Sequence, residues 1–175
     1  YNIVVLNDGT LVATYSARIA SNNFQPSSGV FVSTTDGASW ADRSAAGMQY
    51  YTKDLTIDPA DPAQATWYAG VWGEWGASAG LGGLYCTTNR GVTWTRITTN
   101  LKAVGSCTIS PVNPDEMYVT TEDQGLWYSA NRRAVTPVFS QLGGYPFRFP
   151  SRVFFNPYDA NEIWETQLGV ATEAI

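Results

Sequence analysis

GLYCTTNRGVTW, at residues 83–94, is the segment from which the fold can be predicted. The same pattern stands at residues 29–40 as GVFVSTTDGASW, and a shortened version stands at residues 125–133 as GLWYSANRR. Each copy begins with Gly, an aliphatic residue and an aromatic residue, and then enters a stretch rich in turn-forming residues. An apolar run that ends in such residues is typical of a β-strand entering a tight turn. The repetition therefore predicts a chain built from copies of one β unit.

A second repeated feature is a proline-containing turn that follows an apolar run. It reads IDPADP at residues 57–62, ISPVNP at 109–114 and FNPYD at 155–159, with the first prolines 52 and 46 residues apart. Between these landmarks, β-branched and aromatic runs bounded by Gly, Pro, Asn and Asp predict strands. In the second unit the predicted strands are Asp54–Ile57, Thr66–Val71, Gly83–Thr87 and Thr93–Ile97. Four short strands in each period of about 40–50 residues are typical of β-propeller blades.

The predicted fold class is all-β: a β-propeller of four-stranded antiparallel blades, forming a single domain over residues 1–175. The predicted blades are 2–44, 50–99 and 102–142, with an incomplete fourth at 152–175. Propellers close with about 4–8 blades, so three and a half blades make a partial ring. An unclosed ring would leave strand edges exposed. We therefore expect a fragment of a larger protein, and the alternative is that two chains associate to close one ring.

The turn in the repeated segment resembles the Asp box, or bacterial neuraminidase repeat (BNR), whose pattern is Ser-x-Asp-x-Gly-x-Thr-Trp. We call residues 33–40 and 87–94 the first and second box turns; the second has Asn at the acidic position, and the first has Thr35 there. The pattern residues are Ser33, Asp36, Gly37 and Trp40, and Thr87, Asn89, Gly91 and Trp94. Together with the proline turns, the pattern is similar to propellers of sortilin-like receptors and of bacterial xyloglucanase-like glycoside hydrolases. The resemblance implies a propeller in which these residues shape turns and do not catalyse.

Composition argues against several classes of function. The chain has no His, which excludes Ser-His-Asp and Cys-His catalysis and His-ligated zinc. Its net charge of −5 argues against a nucleic-acid surface, which would be basic. Only 14% of residues are charged and 14% are aromatic, so neither a disordered chain nor a coiled coil is expected. The two cysteines, Cys86 and Cys107, could form a disulfide or remain thiols.

Propeller geometry predicts which loops carry function. Turns between strands one and two, and between strands three and four, lie on one face of each blade. The loops between strands two and three, and the connectors between blades, lie on the other face. We call the first face the turn face and the second the loop face. The long segments of the loop face are 17–28, 48–54, 72–82 and 143–148. Long loops on a rigid scaffold are where binding residues concentrate.

The loop face combines flat aromatic rings with charged groups. Sugar rings stack their apolar faces on aromatic side chains, and their hydroxyls bond to carboxylates, amides and guanidinium groups. The predicted ligand-binding residues are Trp72, Trp75, Tyr50, Tyr51, Tyr145, Arg148 and Arg152. Trp72 and Trp75 are the main candidates, because a Gly-flanked loop has little need of two Trp for packing. The alternative is that the aromatics fill the channel and cover the sheet ends.

Catalysis by paired carboxylates is a further hypothesis. Glycoside hydrolysis needs two carboxylates, about 5 Å apart for retention or about 6.5–9.5 Å apart for inversion. The candidates on the loop face are Asp54, Glu74, Glu122 and Asp123, and no spacing singles out a pair. The resemblance to xyloglucanase-like enzymes implies a catalytic cleft between two propellers, with one carboxylate supplied by each propeller. Sialidase activity is disfavoured, because the Arg-Ile-Pro context of that family is missing.

The sequence thus favours an Asp-box propeller module that binds a carbohydrate or protein ligand; the alternative is part of a xyloglucanase-like glycoside hydrolase. We expect no cofactor and no required metal, because no loop has the ligand spacing of a calcium-binding hand. The expected partners are a glycan or protein ligand and, for ring closure, a second chain; neither nucleic acid nor a membrane span is expected. Low charge and acidic composition favour an extracellular or periplasmic protein.

Overall fold

The computed structural model describes residues 2–16, 19–20, 23–24, 26–146 and 148–167, with residues 19–20 and 23–24 described by their backbone alone. In chain order the first eight strands are β1 (Ile3–Val5), β2 (Leu11–Tyr15), β3 (Ile19–Ala20), β4 (Asn23–Phe24), β5 (Gly29–Ser33), β6 (Ala41–Asp42), β7 (Thr52–Ile57) and β8 (Trp67–Val71). The next eight are β9 (Gly83–Thr87), β10 (Thr95–Arg96), β11 (Val104–Ile109), β12 (Met117–Thr121), β13 (Leu126–Ser129), β14 (Ser140–Gln141), β15 (Pro150–Phe155) and β16 (Ile163–Gln167). Within these described ranges, helical structure is confined to the 3-10 turns Ala46–Met48 and Gly76–Ser78.

The strands form antiparallel sheets whose order follows the sequence. Blade one is β1-β2-β5-β6, blade two is β7-β8-β9-β10, and blade three is β11-β12-β13-β14. In the part of the chain that the structure describes, blade four consists of β15 and β16. The short hairpin β3–β4 lies in the long loop between β2 and β5. This arrangement confirms the predicted partial propeller of four-stranded antiparallel blades.

The predicted strands of the second unit correspond to β7–β10: the third has the predicted bounds, β7 starts two residues earlier than predicted, β8 starts one residue later, and the fourth is shorter at both ends. β10 covers Thr95–Arg96, whereas the sequence predicted Thr93–Ile97. Thr93 belongs to the box turn, because its N–H donates to Oδ1 of Asn89 at 2.9 Å and the Asn89 amide donates to its hydroxyl at 2.8 Å. Local side-chain bonds of this kind compete with the strand ladder, so the strand starts two residues later.

The two box turns share one pattern of hydrogen bonds. The hydroxyl of the first residue, Ser33 or Thr87, accepts the N–H of the glycine four positions on, at 3.0 Å in both turns. The Oγ1 of Thr35 accepts the N–H of Ser39 at 3.0 Å, which is the role of Asn89 Oδ1 in the second turn. The glycine has φ of 86° in the first turn and 78° in the second, a region that favours a residue without Cβ. The first turn therefore forms although its acidic position holds Thr.

Side chains link each blade to the next at the propeller axis. The first strands β7, β11 and β15 lie side by side there. At each junction a side chain of one first strand, or of the residue before it, donates to a main-chain carbonyl of the next. These bonds run from Asn2 to Leu55, from Thr56 to Cys107 and from Thr108 to Val153, at 2.9, 2.6 and 2.9 Å. The three accepting carbonyls hold equivalent positions and so do the donors Thr56 and Thr108, whereas Asn2 donates from a position two residues earlier.

The hydrophobic core lies between blades. Side chains of a strand alternate between its two faces, so β8 contributes Trp67 to the cluster between blades one and two and Tyr68 to the cluster between blades two and three. Val12 of blade one is fully buried in the first cluster. Cys107 is buried in the second cluster and Cys86 is half-buried beside it; both are free thiols.

Candidate functional site

The contacts distinguish the two faces of the propeller. On the turn face, Arg90 of the second box turn pairs with Asp8 in the β1–β2 turn at 2.5 Å. On the loop face, the N–H of Gly73 donates to the carbonyl of Lys102 in the connector to blade three, at 2.7 Å. The candidate residues Trp72, Glu74 and Trp75 lie here, in the segment 72–82 that follows β8, which we call the aromatic loop.

Glycines hold the aromatic loop against blade three. A Cβ on Gly73 would stand 2.2 Å from the N atom of Gly82, and a Cβ on Gly82 would stand 1.7 Å from the carbonyl oxygen of Lys102. Only glycine lets these backbone segments approach so closely. The guanidinium of Arg96 also donates to the carbonyls of Gly80 and Gly82. The loop is therefore positioned by backbone packing and by an arginine of its own blade.

The two tryptophans of the loop have different surroundings. Trp72 extends β8 through a bridge to Ala103 and is only 6% exposed. Its ring meets Tyr51 edge-on at 5.0 Å between centroids and meets Trp75 edge-on at 5.3 Å. Trp75 is 51% exposed. Trp72 is thus the buried ring that packs against both Tyr51 and Trp75. Trp75 presents an aromatic surface to solvent, and its contact with Trp72 holds it in place.

Glu74 and Asp123 form a carboxyl pair between blades two and three. Glu74 lies in the aromatic loop, and Asp123 lies in the turn between β12 and β13. Burial first, then the charge of Asp123 and the hydrogen bond with it, raise the pKa of Glu74; Lys102 acts in the opposite direction and Glu122 in the same one. No donor of the described residues reaches the buried Oδ1 atom of Asp123.

Asp54 is a carboxylate with a different setting, because it is fully buried at the propeller axis. Its Oδ2 accepts the N–H of Cys107 at 3.0 Å, and its Oδ1 accepts the Nη2 of Arg152 at 2.5 Å. Asn2 donates to the same Oδ1 at 3.3 Å. These partners come from blades one, three and four, so the geometry favours a structural role for Asp54 and Arg152 in joining blades.

The remaining candidates surround the β12–β13 turn. Tyr145 is half-buried; burial and a hydrogen bond with Glu165 raise its pKa. Arg148 is exposed, with its guanidinium 5.3 Å from the centroid of the Phe149 ring. Tyr145, Arg148 and Asp123 line one cavity of about 210 Å³. Tyr50 is half-buried, and its carbonyl accepts the hydroxyl of Ser28.

A second small cavity lies at the loop-face end of the axis. It measures about 180 Å³ and is lined by Trp72, Lys53, Glu122, Gly105 and Pro150 together with Ser151. The sequence analysis did not single out Lys53, whose Nζ lies 5.6 Å from the centroid of the Tyr51 ring. Its position next to two Tyr in a blade connector was the available signal. Both cavities are smaller than the roughly 300–1,000 Å³ of drug-sized pockets, so each fits one small unit of a larger ligand.

A cavity of about 420 Å³ lies on the opposite, turn face, between blades two and three. At its wall Arg132 donates to both carboxylate oxygens of Asp58, at 2.7 and 2.9 Å, and to the hydroxyl of Tyr68 at 2.9 Å. The sequence analysis treated Arg132 only as part of a shortened repeat. Arg132 and Asp58 are 2% and 4% exposed, so we assign them to packing between the blades.

In the ranges that the structure describes, no three Cys, Asp or Glu side chains come together in a way that could hold a metal ion. No helix of the described residues is long and apolar enough to cross a membrane.

The sequence matches no protein-family model and no curated protein. Solved structures of glycoside hydrolase family 74 (GH74) are similar in fold. They are a GH74 enzyme from Niastella koreensis (TM-score 0.57, 16% identity over 78% of this chain and 22% of that chain), an ancestral GH74 enzyme (0.59, 17%, 81% and 19%) and the GH74 xyloglucanase from Xanthomonas campestris (0.56, 13%, 82% and 23%). The chain thus spans about a fifth of the length of these enzymes. The similarity supports the propeller fold that the sequence predicted.

Proposed function

We propose that the loop face binds carbohydrate, with Trp75 as the platform on which a sugar ring stacks. The observation that carries the proposal is the half-exposed indole of Trp75, braced edge-on by Trp72 at 5.3 Å. A ring that is already fixed loses little conformational entropy when a ligand binds. The protein would act outside the cytoplasm, as its low charge and acidic composition favour.

The polar groups for sugar hydroxyls lie beside this platform. Glu74 is one residue from Trp75, and its partner Asp123 lines the neighbouring cavity with Arg148. Lys53 and Glu122 line the cavity on the other side of Trp72. A chain of sugar units could therefore contact the exposed indole and one or both cavities. One of the structurally similar enzymes, from Xanthomonas campestris, is a xyloglucanase, so xyloglucan is the first ligand to test.

The test is calorimetric titration of the chain with xyloglucan oligosaccharides, comparing wild type with Trp75→Ala. We expect at least about tenfold weaker binding in the variant, which corresponds to about 1.4 kcal/mol. Trp164→Ala is the matched control, because Trp164 is 49% exposed and lies in blade four. Undetectable binding by wild type, or equal affinity in Trp75→Ala, contradicts the proposal. A protein ligand would then be the next partner to seek on this face.

Glycoside hydrolysis is the second candidate function, and the raised pKa of Glu74 is the observation that favours it. A carboxyl with a raised pKa keeps its proton to higher pH than an ordinary carboxyl, which is what a general acid needs. Asp123 is the carboxylate whose charge acts on Glu74, so it is the candidate second member of a catalytic pair. A reducing-sugar assay on xyloglucan would separate the two functions: release of sugar that Glu74→Gln abolishes would support hydrolysis, and binding without release would support the binding module.

A further inference from the structure

Arg96 of β10 connects the fourth strand of blade two to the aromatic loop. Its Nη1 donates to the carbonyl of Gly80 at 2.7 Å, and its Nη2 donates to the carbonyl of Gly82. Its Nε donates to the carbonyl of Thr98 at 3.1 Å, which fixes the orientation of the guanidinium. Because the guanidinium is planar and rigid, a group held through one N–H presents its other N–H groups in defined directions. Arg96 therefore holds two carbonyls of the loop in fixed positions.

Hydrogen bonds lead from this part of the loop to Trp75. The N–H of Leu81, which lies between the two glycines that Arg96 holds, donates to the carbonyl of Ser78 at 3.0 Å. The hydroxyl of Ser78, a residue that is 1% exposed, donates to the carbonyl of Trp75 at 2.8 Å. Trp75 is also the residue that precedes the 3-10 turn Gly76–Ser78. The main chain of Trp75 is thus tied to the segment that Arg96 holds.

The position of Arg96 can be compared among the three four-stranded blades. In each of them a residue of the fourth strand pairs with the aromatic residue two positions after the glycine of the repeated segment. These pairs are Phe31↔Asp42 in blade one, Tyr85↔Arg96 in blade two and Trp127↔Gln141 in blade three. Asp42, Arg96 and Gln141 are therefore equivalent, and their contacts show what this position can do.

Blade three makes one of the two loop contacts of Arg96. The side-chain amide of Gln141 donates to the carbonyl of Gln124 at 2.9 Å. Gln124 stands directly before the repeated glycine of its blade, as Gly82 does in blade two, so the two contacts are equivalent. The loop between the second and third strands covers residues 122–125 in blade three and 72–82 in blade two. The blade with the longer loop thus has an arginine, which adds the contact with Gly80.

Blade one shows that a donor at this position is not needed to form a blade. Asp42 has only acceptor oxygens, and its Oδ1 accepts the N–H of Ser44 at 2.8 Å and the hydroxyl of Ser44 at 2.5 Å. The fourth strand nevertheless pairs with β5 in the same register as in the other blades. The donors of Arg96 are therefore specific to the loop of blade two and are not a general requirement of the sheet.

We propose that Arg96 is a positioning residue that holds the aromatic loop, and through it Trp75, in the arrangement that binds ligand. Without the two carbonyl contacts the loop would occupy further conformations. The apparent affinity for a ligand falls in proportion to the fraction of molecules that hold the binding arrangement. This consequence for affinity rests on the carbohydrate-binding function proposed above, whereas the ordering of the loop by Arg96 does not.

Hydrogen–deuterium exchange read by mass spectrometry tests the ordering of the loop without any ligand. The loop amides that are hydrogen-bonded in the structure are those of Trp72, Gly73, Ala79, Gly80 and Leu81. In Arg96→Ala we expect peptides covering residues 72–82 to exchange at least about tenfold faster, because charge-assisted hydrogen bonds that oppose local opening are lost. Peptides that cover β11 and β12 should exchange as in wild type.

Two further variants sharpen the experiment. Arg96→Gln keeps the contact that Gln141 makes in blade three and loses the one with Gly80, so its loop should exchange at a rate between those of wild type and Arg96→Ala. Arg90→Ala is the matched control, because it removes the same charge from the same blade but on the turn face. Thermal unfolding followed by circular dichroism checks that each variant is folded, and Arg96→Gln carries the test if Arg96→Ala does not fold.

Calorimetric titration with xyloglucan oligosaccharides then measures the consequence for binding. If the binding arrangement of the loop is populated about a tenth of the time in Arg96→Ala, the affinity should fall about tenfold. Arg96→Gln should again lie between wild type and Arg96→Ala, and Arg90→Ala should bind as wild type does.

Faster exchange confined to the loop, together with weaker binding, supports the proposal. Unchanged exchange of the loop in Arg96→Ala overturns it, whether or not the chain binds carbohydrate. Faster exchange throughout the chain, or faster loop exchange with the affinity of wild type, also overturns it. If wild type binds no xyloglucan, faster exchange confined to the loop still supports the positioning role of Arg96, and it is the proposed carbohydrate binding that fails.

Discussion

The junction between blades one and two and the junction between blades two and three each contain an arginine from the same position of the repeated turn. The two arginines differ in how deeply they are buried. Arg90 and Arg132 are equivalent in their turns, and each pairs with an Asp of the preceding blade. The side chains of Arg90 and Asp8 are 38% and 47% exposed, whereas those of Arg132 and Asp58 are 0% and 5% exposed. One sequence position therefore provides a solvated ion pair at one junction and a buried one at the next.

The preceding blade explains this difference. Asp8 stands in the short turn after β1, where solvent reaches it. Asp58 stands directly after β7, where it accepts the N–H of Ala60 at 2.9 Å and is covered by the Arg132 side chain. Tyr68 completes the cluster, with the Arg132 guanidinium 5.1 Å from its ring centroid. The contribution of the arginine to stability thus depends on how deeply its partner is buried. Water weakens an exposed pair, whereas loss of the arginine from a buried pair would leave an unpaired buried charge, which is strongly destabilising.

The largest expected effect follows from removing the buried arginine. Arg132→Ala would leave Asp58 buried without its partner, and we expect the free energy of unfolding to fall by about 3–5 kcal/mol. Urea denaturation measures this loss. Arg133→Ala is the control, because the neighbouring Arg133 pairs with Asp115 in solvent, at 44% and 46% exposure. Equal losses in the two variants would show that burial does not distinguish these pairs.

A smaller effect is expected at the first junction. Arg90→Ala should lower stability much less than Arg132→Ala, since its pair with Asp8 is solvated. The hydrogen bond from Arg90 lowers the pKa of Asp8 to about 2. A lowered carboxyl pKa stabilises the fold above the unfolded value of about 4, and this contribution disappears as the pH falls toward 2. Thermal melts of wild type and Arg90→Ala should therefore converge between about pH 4 and pH 2; a constant difference would contradict this.

The smallest effect, with the opposite sign, is expected on the loop face of the second junction. The raised pKa of Glu74 means that the folded state holds its proton more tightly than the unfolded state. The contribution of Glu74 to the stability of the fold is therefore present at low pH. It is lost as the pH rises from the unfolded-state pKa through the raised pKa of the folded state. Glu74→Gln, which is neutral at every pH, should gain stability relative to wild type from about pH 4 upward. Asp36→Asn is the control, because Asp36 is an exposed carboxylate of the first box turn in blade one. Parallel plots of melting temperature against pH for wild type and Glu74→Gln would contradict the raised pKa of Glu74.

The candidate site could be predicted in part. The sequence proposed the aromatic loop because a long loop with Trp, Gly and a carboxylate stands out against short strands, and it proposed Glu122 and Asp123 only as carboxylates of the loop face. Which of the two tryptophans is buried and which is exposed could not be predicted. Trp72 and Trp75 are three residues apart with similar flanks, and only the bridge of Trp72 to Ala103 in the next blade buries one of them.

Repetition made the architecture readable from the amino-acid sequence alone. The box turns and proline turns recur at regular intervals, and their hydrogen bonds are local, so strand number, blade period and propeller class all followed from nearby residues. The roles of charged side chains did not. Asp54 became a blade-joining residue because Arg152, 98 residues later, reaches it at the axis. Arg132 meets Asp58 across 74 residues in the same way. Such pairings depend on how blades pack in space, and burial, which sets the strength of charged contacts, exists only once the blades have come together.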